Sequence, residues 1–146
     1  MDDKPFFVRV VTVDEKEKGT KKTLVMTHAY AGCSPAHMKI LKGLSELYHL
    51  VLFDNISWGL NTRDGDDTSC KNGPEAAEQF NIDFMERTIS ALDEHLPEKF
   101  LLCGHSFGGY LASLFASRNS ERVEALCLIS PVASSYIPEQ YDPYSY

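Results

Sequence analysis

Phe100-Leu101-Leu102-Cys103-Gly104-His105-Ser106-Phe107-Gly108-Gly109-Tyr110-Leu111-Ala112 is an apolar run, then Gly-x-Ser-x-Gly, then a small-residue pattern suited to a helix. That order is what a nucleophile elbow requires: a buried strand turns sharply into a helix, with serine at the strained corner. Side chains at Gly104 and Gly108 would collide with the strand and helix that close around the serine, and Gly109 extends the small-residue run. The Ser106 Oγ is then lifted clear of the backbone, just ahead of a helix N-terminus whose dipole favours developing negative charge. A glycine-rich turn that merely packs is the bland alternative. The strand before the motif and the helix after it favour the elbow.

The 146 residues fit one domain, large enough to bury a core, and 43 % apolar with 24 % charged residues is the composition of an ordinary globular protein. Twenty-one acidic against fourteen basic side chains give a formal charge of −7. That argues against nucleic acid as a partner, since phosphate binding needs a basic face. The clusters from Asp14 to Lys22 and from Asp64 to Asp67 read as solvated turns. Met1 to Pro5 lacks the basic start and apolar core of a signal peptide. No apolar run approaches the roughly 18 residues that span a bilayer. Cys33, Cys70, Cys103 and Cys127 form no Cys-x-x-Cys pair, and a reducing, cytoplasmic setting is expected.

Working outward from the elbow, Val123 to Ile129 is a further apolar strand stopped by Pro131. Upstream, Pro74 opens a long helical pattern through Leu96, with Ala76, Phe80, Phe84, Met85, Ile89, Leu92 and Leu96 stepping by three or four. Strands are expected over Phe6 to Val13, Thr23 to Thr27 and Leu50 to Phe53. Pro35 to Tyr48 carries Met38, Leu41, Leu44 and Leu47 at spacings of three, which fits an amphipathic helix. Alternating strands and helices, with strands apolar on both faces, predict an α/β fold: a mostly parallel sheet with helices on both faces. The stretch from Ser134 to Tyr146 has no helix or strand period and reads as the start of a lid or a tail.

The order strand, His-x-Tyr-x-Gly, helix, strand ending in Asp, helix, strand, elbow, helix, strand resembles the first half of the α/β-hydrolase fold. Leu24 to Gly32 is similar to that family's strand followed by His-Gly-x-Gly. Phe53 to Asn61 resembles its Asp-x-x-Gly-x-Gly-x-Ser loop, and Ser120-Glu121-Arg122-Val123 leads into the next strand in a phrase familiar there. Within the fold the chain looks most like lysophospholipase-like and acyltransferase-like domains acting on phospholipids. The resemblance implies that Ser106 is the nucleophile. It also implies that the backbone N–H groups of Phe107 and Tyr30 form the oxyanion hole. One such donor is worth about 2.7 to 4 kcal/mol on a tetrahedral oxyanion. Ala29 stands where the family usually has glycine, and alanine tolerates positive φ poorly.

In this fold the acid and the histidine follow the serine in the chain. Here no histidine follows Ser106, and the downstream carboxylates are Glu121, Glu124, Glu139 and Asp142. His28 falls in the oxyanion loop, where the family histidine is structural. His105 should point away from the serine, and His37 and His95 read as surface residues on helices. His49 and Asp54 have the spacing of an acyltransferase signature but lie across a buried strand. The sheet is therefore expected to be truncated before the lid and last strands, as in a fragment or split product of a longer hydrolase. The reading is a serine hydrolase or acyltransferase acting on a small-molecule or lipid ester, compatible with peripheral membrane contact. No metal or organic cofactor is implied, because neither His-Glu-x-x-His nor clustered cysteine ligands occur. The rival is a non-catalytic binding or scaffold protein that keeps the same half-sheet.

Overall fold

The computed structural model describes residues 10–13, 19–29, 42–55 and 74–132. Five strands form one sheet: β1 (Val10–Val13), β2 (Thr23–Thr27), β3 (His49–Phe53), β4 (Phe100–His105) and β5 (Val123–Ile129), in the order β1-β3-β2-β4-β5. β1 pairs antiparallel with β3, and all other pairings are parallel. β2, β3 and β4 are apolar through their centres and lie inside the sheet, which is why they read as continuous apolar runs rather than alternating ones.

Two helices, α1 (Pro74–Ala91) and α2 (Phe107–Arg118), cover one face. Val25, Val51, Phe53 and Leu102 of the sheet meet Ile82, Met85 and Ile89 of α1 and Leu111 and Phe115 of α2 in a single core. Each such side chain contributes roughly 1.5–3 kcal/mol by leaving water. The opposite face gathers Leu24, Met26, Leu50, Leu52 and Cys103 under Leu44 and Tyr48.

Three expectations need correction. The helix predicted over Pro35 to Tyr48 is a 3-10 helix over Lys42–Glu46, its part before Lys42 lying outside the described residues. A spacing of three is the 3-10 period as well, and the N–H groups of Leu47 and Tyr48 both close on the Leu44 carbonyl (3.0 and 2.8 Å). That turn leaves Leu47 65 % exposed and gives its inward place to Tyr48. The first α-helix ends at Ala91 rather than Leu96: Leu92, Asp93 and His95 donate to carbonyls three residues back, tightening the chain into turns. Its buried face is also rotated. Ile82 is fully buried whereas Phe80 and Leu92 are only half-buried.

Candidate functional site

The strand order changes direction between β2 and β4, because β3 lies to one side of β2 and β4 and β5 to the other. In open parallel sheets, ligands bind outside the carboxyl ends of strands at such a switch point. The carboxyl end of β2 is Thr27 and His28, and that of β4 is His105 and Ser106.

Ser106 is the hinge between β4 and α2. Its backbone stands at φ 54° and ψ −117°, the geometry of the first central residue of a type II′ turn, a place glycine dominates. Its side chain makes no capping hydrogen bond to α2. The bend brings helix onto strand so closely that a Cβ on Gly108 would stand 2.6 Å from the His28 carbonyl oxygen and closer still to that of Thr27. A Cβ on Gly109 would stand 2.8 Å from the Pro131 Cβ.

The strained residue is held from β5 as well. Ser106 N–H donates to the Ile129 carbonyl (2.9 Å), and the Val132 N–H donates back to the Ser106 carbonyl (3.2 Å). The same carbonyl accepts from Gly109 (2.9 Å) and Tyr110 (3.2 Å) in the first turn of α2. Between the two β5-side bonds, Ser130 sits at φ 43°. Ser130-Pro131 after an apolar strand marks a turn, but only the folded chain shows that the turn grips the serine.

At the end of β2, His28 is buried and its ring is fully committed. Its Nε2 accepts the Asn55 N–H at 2.9 Å, and its Nδ1 lies 2.6 Å from the Ala29 carbonyl. Nε2 as acceptor leaves Nδ1 to carry the proton, so the ring is the neutral Nδ1–H tautomer. Asn55 Nδ2 donates to the His28 carbonyl (2.9 Å), and Thr27 Oγ1 donates to Asn55 Oδ1 (2.7 Å). The buried Asp54 carboxylate is 3.9 Å from Nε2, beyond hydrogen-bond reach. The network fastens the ends of β2 and β3 to each other. His28→Ala is expected to lower stability by about 1–3 kcal/mol, the cost of orphaning a buried donor. Urea unfolding checks it, and a loss below about 0.5 kcal/mol, the scale of a surface change, would refute the network's role.

Phe107 is the first residue of α2, so its N–H lies at the positive end of the helix. Ala29 is not among the non-glycine residues with positive φ, which are Ser106 and Ser130 among the described residues. Tyr30, His37 and the loop holding Trp58 lie outside the described residues. Alternation along β4 puts His105 with Leu101 and Cys103, on the face away from α2. His49 begins β3 and Asp54 follows its end, so five extended steps of the chain, roughly 16 Å, separate the pair. His95 is exposed in the turns after α1 rather than within it. Among the described residues, no three His, Cys, Asp or Glu side chains are grouped to hold a metal ion. No helix among them is long and apolar enough to cross a membrane.

A family model described as alpha/beta hydrolase fold matches residues 22–143. The chain belongs to the α/β-hydrolase family. Over 133 residues it is 33 % identical to a protein of Oryza sativa subsp. japonica named "Probable 1-acylglycerol-3-phosphate O-acyltransferase", covering 91 % of this chain and 30 % of that protein. It is also 31 % identical over 121 residues to a (Lyso)-N-acylphosphatidylethanolamine lipase of Mus musculus, covering 83 % of this chain and 33 % of the lipase. The chain thus spans a minority of either relative's length. Among solved structures, a bacterial membrane phospholipase A superposes with a TM-score of 0.70 at 19 % identity, covering 93 % of this chain and 40 % of that one. At that identity the likeness is one of fold.

Proposed function

We propose that Ser106 is the nucleophile of a serine hydrolase or acyltransferase acting on a lipid-like acyl ester. The observation that carries this reading is the strained backbone at Ser106, held from both α2 and β5, with the side chain left out of the helix cap. Such strain persists only where the surroundings over-determine it, and it clusters at functional sites. The names of the rice and mouse relatives support a lipid-like substrate, since one names 1-acylglycerol-3-phosphate and the other (lyso)-N-acylphosphatidylethanolamine.

In the proposed reaction Ser106 Oγ attacks the acyl carbonyl while its proton passes to a general base. The tetrahedral oxyanion is held by the N–H groups of Phe107 and Tyr30. Collapse expels the alcohol and leaves the acyl group on Ser106. Water then completes a hydrolysis, or a second alcohol completes a transfer. The base is not His28, whose Nε2 lone pair already accepts the Asn55 N–H. All five histidines precede Ser106 in this sequence. The acid and base are proposed to belong to the part of the relatives' length that this chain does not span.

A fluorophosphonate probe tests the assignment on the protein isolated from its source. Trypsin releases Ser106 in the Phe100–Arg118 peptide, which is expected to carry the adduct. Ser106→Ala is expected to remove labelling entirely. An adduct on another residue would overturn the elbow assignment. No labelling at all would favour the non-catalytic rival.

A further inference from the structure

We propose that Cys103 and Cys127 form a site of reversible oxidative modification, which closes to a disulfide when a hydroperoxide oxidises the exposed partner. This rests on the sheet alone and is independent of any role for Ser106.

Cys103 on β4 and Cys127 on β5 are register partners in neighbouring parallel strands. Partners in register project to the same face, with their strands about 4.8 Å apart. That spacing falls within the Cα separation of about 4.4–6.8 Å that a disulfide bridges. Sharing a face at that spacing, the two thiols are neighbours.

Their surroundings are unequal. Cys103 is 4 % exposed, among Leu24, Met26 and Leu52, whereas Cys127 is exposed among the described residues. Burial foremost, then the neighbouring Cys127, pushes the Cys103 thiol up to about 12. Cys103 is therefore a poor first reactant, and the oxidant meets Cys127. A Cys127 thiolate attacks the peroxide O–O bond and becomes a sulfenic acid, releasing an alcohol or water. The sulfenic acid is neutral, so the opposing charge of Cys127 is gone and burial alone still disfavours ionisation of Cys103. Cys103 then loses its proton and attacks the Cys127 sulfur, expelling hydroxide, which leaves as water. Two thiols and one hydroperoxide thus give one disulfide, one alcohol and one water. A thiol reductant reverses the step by exchange.

The bridge would tie together the two strands that flank the nucleophile's backbone, three residues before Ser106 and two before Ile129. Lone structural cysteines would not share a register position on neighbouring strands.

Trypsin places all four cysteines in different peptides, with Cys103 in Phe100–Arg118 and Cys127 in the peptide that begins at Val123. The folded protein is treated with hydrogen peroxide, alkylated under denaturing conditions and mapped by mass spectrometry without reduction. A linked pair of those two peptides is expected, with alkylation of Cys127 reduced at least about ten-fold and restored by dithiothreitol. In Cys103→Ala, a dimedone-trapped sulfenic acid should accumulate on Cys127. In Cys127→Ser, a surface change that should leave folding intact, Cys103 should stay unmodified. The proposal fails if Cys127 links to Cys33, Cys70 or a second chain instead. It fails equally if Cys127 passes to sulfinic acid while Cys103 remains alkylatable.

Discussion

Ser106→Gly is expected to raise stability by about 1 kcal/mol while leaving the protein without fluorophosphonate labelling. A non-glycine residue in such a sparsely populated region costs roughly 1–3 kcal/mol, and glycine removes that cost. Against the gain stands the extra freedom glycine gives the unfolded chain, about 0.4–1 kcal/mol. The Ser106 side chain makes no capping bond, so its removal forfeits none. Ser106→Ala separates the two effects: it keeps the Cβ and therefore the strain, and should gain nothing. Urea midpoints of the three proteins, compared at equal slope, decide the matter. Equal shifts for alanine and glycine would show that the backbone at Ser106 stores no strain. A stability gain bought with loss of the reactive group is the trade expected of a site built for chemistry rather than for folding.

The sheet and the elbow were legible in the sequence because their signals are local. Leu101, Leu102 and Cys103 read as a strand, and Gly104, Gly108 and Gly109 leave few alternatives to a tight turn into a helix. The strand from Val123 to Ile129 was legible for the same reason, with Pro131 as its stop. What escaped the reading depends on partners distant in sequence. The bonds from Ile129 and Val132 to Ser106 run through backbone atoms, which carry no residue code. Tyr110 donates to Glu78 across 32 positions, so a carboxylate sits on the helix face where apolar spacing alone predicted contact. The network of His28 and Asn55 joins two motifs that were read separately. Leu47 was misplaced because a period of three suits an α-helical stripe and a 3-10 turn equally well over so few residues. Local chemistry thus located Ser106, while its bracing belongs to the tertiary fold.

Gly104→Ala is expected to be the most damaging single-methyl change among the described glycines, costing about 3 kcal/mol or more. The added Cβ would stand 2.5 Å from the Gly108 carbonyl carbon and 2.6 Å from the Gly109 Cα, and closer still to the Gly108 oxygen. All three are backbone atoms, so no rotamer change can make room. The strand cannot shift either, since β4 is hydrogen-bonded to β2 on one side and β5 on the other. The only relief is to lift α2 from β4, which would pull Leu111 and Phe115 from the core. A loss of that size is a large share of the roughly 5–15 kcal/mol that holds a domain folded. In urea it corresponds to a midpoint lower by roughly 1–3 M. Gly43 supplies the contrast, because its Cβ would meet nothing within 4 Å and its backbone lies outside the left-handed region. Gly43→Ala should therefore be neutral or stabilising by up to about 1 kcal/mol. If the two variants unfold at similar urea concentrations, the close contact of α2 with β4 is not what requires glycine before Ser106.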